Sequence, residues 1–250
     1  MKISIITAVY NRADTIGDAM RSVQAQAYDP VEHVIVDGAS RDRTRMVVEE
    51  LRHSQTRFVS EPDEGIYDAI NKGMRLASGD ILGLMHSDDV FAHDGVLGKV
   101  AAAFADPGID MVYGDLHYVS KQDLSRVIRV WRAGEFTPGL LARGWMPPHP
   151  TLYVRRSVIE HHGGYDTSYR IAADYDAVLR WFGAARLRSA YIPDVLVKMR
   201  IGGESNRSLG RILAKSREDL RALREHGVGG LGTLAWKNVS KIGQFTARGR

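Results

Sequence analysis

Over residues 2–113, short β-branched apolar runs alternate with stretches of helical spacing, and the runs end in polar clusters. The runs lie at 2–9, 31–36, 57–59, 81–85 and 111–113; the helical stretches lie at 11–27, 41–51, 66–76 and 95–104, with Ser40 expected to cap the second. Strands alternating with helices predict an α/β fold whose sheet is mostly parallel, with helices on both faces. Ligands in such sheets bind beyond the carboxyl ends of the strands. The polar clusters fall at those ends: Thr7, Tyr10 and Asn11; Asp37-Gly38; Glu61-Pro62-Asp63-Glu64-Gly65; and Ser87-Asp88-Asp89. Four strand ends therefore address one crevice.

After residue 120 the pattern changes. Strands are expected at 126–131 and 151–154, with a Gly- and Pro-rich loop or short helix over 134–150 between them. A helix follows at 172–182. Strands at 187–192 and 195–201 flank a Pro193-Asp194 turn, and a long basic helix covers 207–226 before a glycine break at 227–232. The simplest division is one domain over 1–226, with halves 1–120 and 121–226, and a basic amphipathic tail over 227–250. Charge follows the halves: residues 1–120 carry 11 Lys and Arg against 19 Asp and Glu, the remainder 23 against 11. An acidic half suits a metal, and a basic half suits phosphates or an anionic surface. The absence of cysteine excludes disulfides, thiol nucleophiles and iron–sulfur clusters. The first apolar run is too short for a signal peptide, and no run reaches the ~18 apolar residues of a membrane span.

Two carboxylate positions could carry chemistry. Asp88-Asp89 after an apolar run is either a site for a hard divalent cation or the N-cap of a helix. Asp174, at a helix start, is either a partner of the helix dipole or a general base. The phosphate loop G-x-x-x-x-G-K-[ST], the dinucleotide fingerprint G-x-G-x-x-G after the first strand, and the hydrolase elbow G-x-S-x-G are all missing.

The order of motifs resembles glycosyltransferase family 2. It runs through Ser4-Ile5-Ile6-Thr7-Ala8-Val9-Tyr10-Asn11, Val34-Ile35-Val36-Asp37-Gly38, Asp63-Glu64-Gly65-Ile66-Tyr67-Asp68-Ala69-Ile70-Asn71-Lys72-Gly73, Ser87-Asp88-Asp89 and Ala172-Ala173-Asp174-Tyr175-Asp176. Pro148-His149-Pro150 and the late Gly202-Gly203-Glu204-Ser205 resemble the bacterial exopolysaccharide, colanic-acid-like or glycolipid branch. The resemblance implies the Rossmann-like GT-A fold, with residues 1–120 as the nucleotide-sugar half and 121–226 as the acceptor and catalytic half. It also implies inverting transfer, and transfer of a single sugar because the Q-x-x-R-W motif and membrane helices of processive members are missing.

By the same resemblance Thr7, Ala8, Tyr10 and Asn11 would cradle the nucleoside, Asp37 would bind the base, and Asp63 and Lys72 would lie near base or phosphates. Asp89 with Asp88 would hold Mn2+ or Mg2+, Ser87 standing where the family's D-x-D begins. Whether Asp88 instead touches ribose stays open. Asp174 would be the catalytic base. His149 is either structural or near the diphosphate or acceptor; Lys198 and Arg200 either close over phosphates or edge a solvated strand. His86 reads as scaffold. The donor would be a UDP- or GDP-sugar and the acceptor a glycan or lipid-linked sugar.

A nucleotidyltransferase is a competing reading, but residues 7–12 lack the Gly-rich loop it would need. A binding protein without catalysis is another, opposed by the presence of both Asp89 and Asp174. No nucleic-acid motif is present. The expected location is the cytoplasm. The tail, with Trp236 beside Lys237, reads either as contact with the inner face of the cytoplasmic membrane or as a helix packed on the core or in a homodimer interface.

Overall fold

The computed structural model describes residues 1–185, 187–202 and 209–239. The late Gly203-Glu204-Ser205 motif, the start of the basic helix at 207–208 and the end of the tail from residue 240 lie outside them.

Four strands form the expected parallel half: β1 (Ile3–Val9), β2 (Val31–Asp37), β3 (Thr56–Ser60) and β4 (Ile81–Leu84). Their order is β3-β2-β1-β4, all parallel. β1 is buried at every position, as a strand covered on both faces must be. On one face α3 (Ile66–Leu76) packs Ile70 and Met74 against Ile6, Val34 and Val36. On the other face lie α1 (Ile16–Gln24), α2 (Thr44–Leu51) and α4 (Val96–Ala103), whose Met20, Val48 and Val100 pack toward Ile5, Val9 and Ile35.

The second half is mixed. The two-residue β5 (Val90–Phe91) follows Asp88-Asp89 directly. Next come β6 (Met111–Val119), β7 (Val127–Trp131), β8 (Tyr153–Arg155) and β9 (Ser189–Arg200). The sheet continues β4-β8-β6-β9-β5, with β7 also on β6; β6 and β9 are parallel, and the other pairings in this half are antiparallel. Short helices α5 (Arg156–His162) and α6 (Ala173–Val178) follow β8, and α6 runs into a π-helical turn, Leu179–Ala184. The chain closes with α7 (Leu209–Glu225) and α8 (Leu231–Val239).

Three local expectations are corrected. The first helix begins at Ile16, because Asn11 turns the chain through a left-handed conformation (φ 51°). Ser40 does not cap α2, whose N-cap is Arg43; its hydroxyl serves Asp37 and the Asn11 amide instead. Pro193-Asp194 is not a turn. β9 runs through it, and the two residues are absorbed where the β6 register shifts between Gly114 and Asp115.

Candidate active site

Because β1 to β4 are parallel, their carboxyl ends share one edge. Asp37, at the end of β2, is wholly buried and accepts from the Ser40 amide (3.1 Å), the Ser40 hydroxyl and the Ser60 hydroxyl (2.6 Å). Gly38 follows it; a Cβ there would collide with Asp63 Oδ2, so glycine lets that carboxylate lie against the strand end. The other Asp63 oxygen accepts from the Gly65 amide at 2.9 Å. Tyr10, 52% exposed, flanks the same spot with an open ring face. Asn11 closes the rim, its Oδ1 accepting from the Arg41 amide at 2.8 Å.

Several expected donor contacts are engaged elsewhere. The Thr7 hydroxyl is buried against His33 Nε2 (2.9 Å), and Ala8 is buried in the core, so neither side chain reaches the crevice. Burial holds His33 down to about 3, so its ring is neutral. Lys72 Nζ donates to Pro62 O (2.8 Å) and pairs with Glu61 (3.1 Å) and Asp68 (3.3 Å), tying the 61–65 loop to α3. Arg200 is buried. Its guanidinium donates to Asp88 O and to Asp18 of α1, both at 2.6 Å, and its amide donates to Asp89 Oδ1 at 3.1 Å. It clamps the 88–89 turn to the scaffold rather than lying open to phosphates.

The carboxyl end of β4 carries His86, Ser87, Asp88 and Asp89. No helix begins there, since Val90-Phe91 is a strand, so the capping reading of this pair is removed. Ser87 and Asp89 are buried, and Asp89 Oδ2 has no hydrogen-bond partner. Burial pushes the Asp89 carboxyl well up and the Asp88 charge adds to this, against the pull of the Arg200 amide and guanidinium. Asp88 is only half-buried.

Asp174 stands at the start of α6. Its Oδ1 accepts from the Tyr175 amide (2.9 Å) and lies 3.3 Å from the Tyr67 hydroxyl, which is also 2.8 Å from Ile171 O. The amides entering α6 are held by another residue. Glu218 of α7 accepts from the amides of Arg170, Ile171 and Ala172 at 2.8–3.1 Å. Glu218 thus anchors the segment leading into α6, while Asp174, in the first turn, holds the Tyr175 amide and keeps its place at the positive end of the helix dipole. Burial pushes the Asp174 carboxyl up, but His149, Lys215, Lys237 and the Tyr175 amide outweigh it and hold it below the ordinary range, so it is a carboxylate at neutral pH.

His149 is buried, its Nε2 2.7 Å from the Tyr165 hydroxyl, and burial holds it down to about 4. The His86 ring lies 5.8 Å from that of His149. Burial lowers His86 too, and the charges of both Asp88 and Asp174 act against this. Sequence reasoning read His86 as scaffold and assigned no role to Tyr67, Tyr165 or Glu218. His86 carried a signal, being the first polar residue after the fourth apolar run. Glu218 carried none, since 46 residues separate it from the Ala172 amide it holds.

Several known glycosyltransferases are similar to this chain in sequence or in fold. An uncharacterized glycosyltransferase of Mycobacterium tuberculosis is 31% identical over 184 residues, 71% of this chain and 68% of that protein. A PGL/p-HBAD biosynthesis glycosyltransferase of Mycobacterium bovis is 29% identical over 208 residues, 81% of this chain and 78% of that protein. Among solved structures, S. aureus TarS 1-349 in complex with UDP-GlcNAc superposes with a TM-score of 0.67 at 18% identity, covering 91% of this chain and 66% of that one. This chain spans 39% of the longer TarS chain. The mannosyltransferase PcManGT from Pyrobaculum calidifontis, in complex with GDP-Man and Mn2+, gives a TM-score of 0.67 at 20% identity over 99% of this chain and 76% of its own. Residues 4–163 match the sequence profile described as Glycosyl transferase family 2, and the chain belongs to that family.

Proposed function

We propose that the protein transfers one sugar, with inversion, from a UDP- or GDP-sugar to a glycan or lipid-linked acceptor in bacterial surface polysaccharide or glycolipid assembly. The observation that carries this reading is the placement of Asp174. It is an ionised carboxylate in the first turn of α6, and its charge acts with that of Asp88 on the buried His86 ring.

In this reading the base of the donor lies on Tyr10, between Asp63 and the buried Asp37. Asp174 takes the proton of the acceptor hydroxyl as its oxygen bonds to the anomeric carbon. The bond from that carbon to the diphosphate breaks, and its electron pair leaves with the nucleoside diphosphate. A single displacement of this kind inverts the centre, and a positioned base contributes ~10²–10⁴-fold. His149, neutral and held by Tyr165, fixes the wall beside Asp174.

The residues at the end of β4 fit a hard cation. Asp89 Oδ2 is a buried oxygen without a partner, and Asp88 beside it is half-buried. Among the described residues no three His, Asp or Glu form a complete cage, which suits an ion held by one or two carboxylates and substrate phosphates. Bound there, Mn2+ or Mg2+ would neutralise the departing diphosphate as a Lewis acid. We assign direct contact to Asp89 Oδ2, its Oδ1 being tied to the Arg200 amide, with Asp88 beside it reaching the ion or the ribose. The nucleotide sugars bound by TarS and PcManGT, and the Mn2+ of the latter, support a nucleotide-sugar donor and a divalent ion.

The M. bovis relative's part in PGL/p-HBAD biosynthesis supports a glycolipid acceptor. Leu231, Trp236 and Val239 of α8 are more than half exposed, and Arg217 and Arg224 of the preceding α7 are exposed as well. No helix among the described residues is long and apolar enough to cross a membrane. We propose that this edge rests on an anionic leaflet. In the full-length chain, Trp236→Ser with Val239→Ser should weaken salt-sensitive sedimentation with anionic vesicles; undiminished binding removes the membrane contact. For the reaction, thermal stabilisation by UDP-GlcNAc or GDP-mannose that requires Mn2+, and product of inverted configuration, are expected. Retention of configuration would refute the mechanism.

A further inference from the structure

Lys237 belongs to the basic tail by sequence, yet it is 1% exposed. Its ammonium pairs with Asp219 of α7 at 3.0 Å and stands 3.0 Å from the centre of the Tyr175 ring. Tyr175 is wholly buried, and its amide is bonded to Asp174 Oδ1. The seat is shaped for the lysine stem: Gly144, in a left-handed conformation (φ 71°), lies so close that a Cβ would come 2.5 Å from Lys237 Cβ. Asp219, also buried, accepts a second cation, Lys215, at 3.3 Å. Two ammonium groups therefore share one carboxylate behind the start of α6. A buried cation needs compensation, and Asp174 is the further carboxylate on which both lysine charges act.

We propose that α8 is part of the catalytic apparatus, with Lys237 a positioning residue that seats Tyr175 and, through the Tyr175 amide, the carboxylate of Asp174. The proposal rests on the reading of Asp174 as the base. The groups acting on Asp174 are Tyr67 from α3, His86 from the end of β4, His149 and Tyr165 from the loops around β8, Lys215 from α7 and Lys237 from α8. His149 is neutral near pH 7, so the lysines supply the fixed positive charge.

This arrangement makes opposite predictions for two neighbours. Lys237→Met removes a cation and should raise the titration midpoint of Asp174 by ~0.5 pH unit or more. Asp219→Asn removes an anion and should lower it. Carboxyl carbon NMR, with the Asp174 signal assigned by its loss in Asp174→Asn, reads both without any substrate. Release of UDP from UDP-GlcNAc or GDP from GDP-mannose, with water as acceptor, should show kcat down ~10-fold in Lys237→Met with donor KM within ~2-fold. If Lys237→Met does not fold, the downward shift in Asp219→Asn still decides. Midpoints that stay within ~0.2 unit of wild type, shifts of the same sign, or failure of both variants to fold make Lys237 a packing residue and overturn the proposal. If the titrations move as expected but Asp174→Asn retains wild-type turnover, the electrostatic link stands and the base assignment fails instead.

Discussion

Glu218→Ala should destabilise the fold more than any change at Asp174. One carboxylate holds three amides, those of Arg170, Ile171 and Ala172, at 2.8–3.1 Å. A hydrogen bond to a charged group contributes about 1.5–3 kcal/mol, but three bonds to one half-buried group share their geometry and one desolvation cost. A net loss of about 2–4 kcal/mol follows. In a chain of this size that is roughly 4–16 °C in melting temperature. Glu218→Gln keeps an acceptor for the amides and loses the charge facing the helix start, so it should cost about 1 kcal/mol. Thermal and urea melts of the two variants beside Asp174→Asn provide the assay. If Glu218→Ala melts within about 1 °C of wild type while Asp174→Asn loses several degrees, Asp174 is the cap and the separation of roles drawn here is wrong.

Two further outcomes are expected. Asp89→Asn should lower Mn2+-dependent donor affinity at least tenfold, about 1.4 kcal/mol, and more than Asp88→Asn does; the reverse pattern, read by calorimetry, moves the direct contact to Asp88. Stability should also fall as pH drops below 6.5. His33 is held down to about 3, so the unfolded chain takes up a proton there that the folded chain refuses, at about 1.4 kcal/mol per pH unit. His149, held at about 4, acts in the same direction, and the raised Asp89 in the opposite one. The difference between wild type and His33→Gln therefore isolates the effect, and parallel stability curves from pH 6.5 to 4 would contradict it.

The parallel half was legible because each buried strand advertises itself as an apolar run, and its polar end marks the crevice. That reasoning located Tyr10, Asp37, Asp63 and Asp88 at one edge. It failed where a residue's local and tertiary uses diverge. Ser40 has the chemistry of a cap but spends its hydroxyl on Asp37. Pro193-Asp194 reads as a turn, yet the bulge admits the proline and Asp194 meets His93 and Lys99 across the sheet. Lys72 and Arg200 look like phosphate ligands, but their partners come from loops that composition does not place. The support of Asp174 was least legible of all, because Glu218 and Lys237 reach it only after two more helices fold back over α6.

The central claim is that Asp174 acts on the acceptor and not on the donor or the fold. Asp174→Asn tests it through donor dissociation constant and turnover measured on one preparation. The account predicts donor affinity within about twofold of wild type, ~0.4 kcal/mol, with turnover down ~10²-fold or more. Turnover within a few-fold of wild type, or donor affinity lost in step with it, would contradict the account.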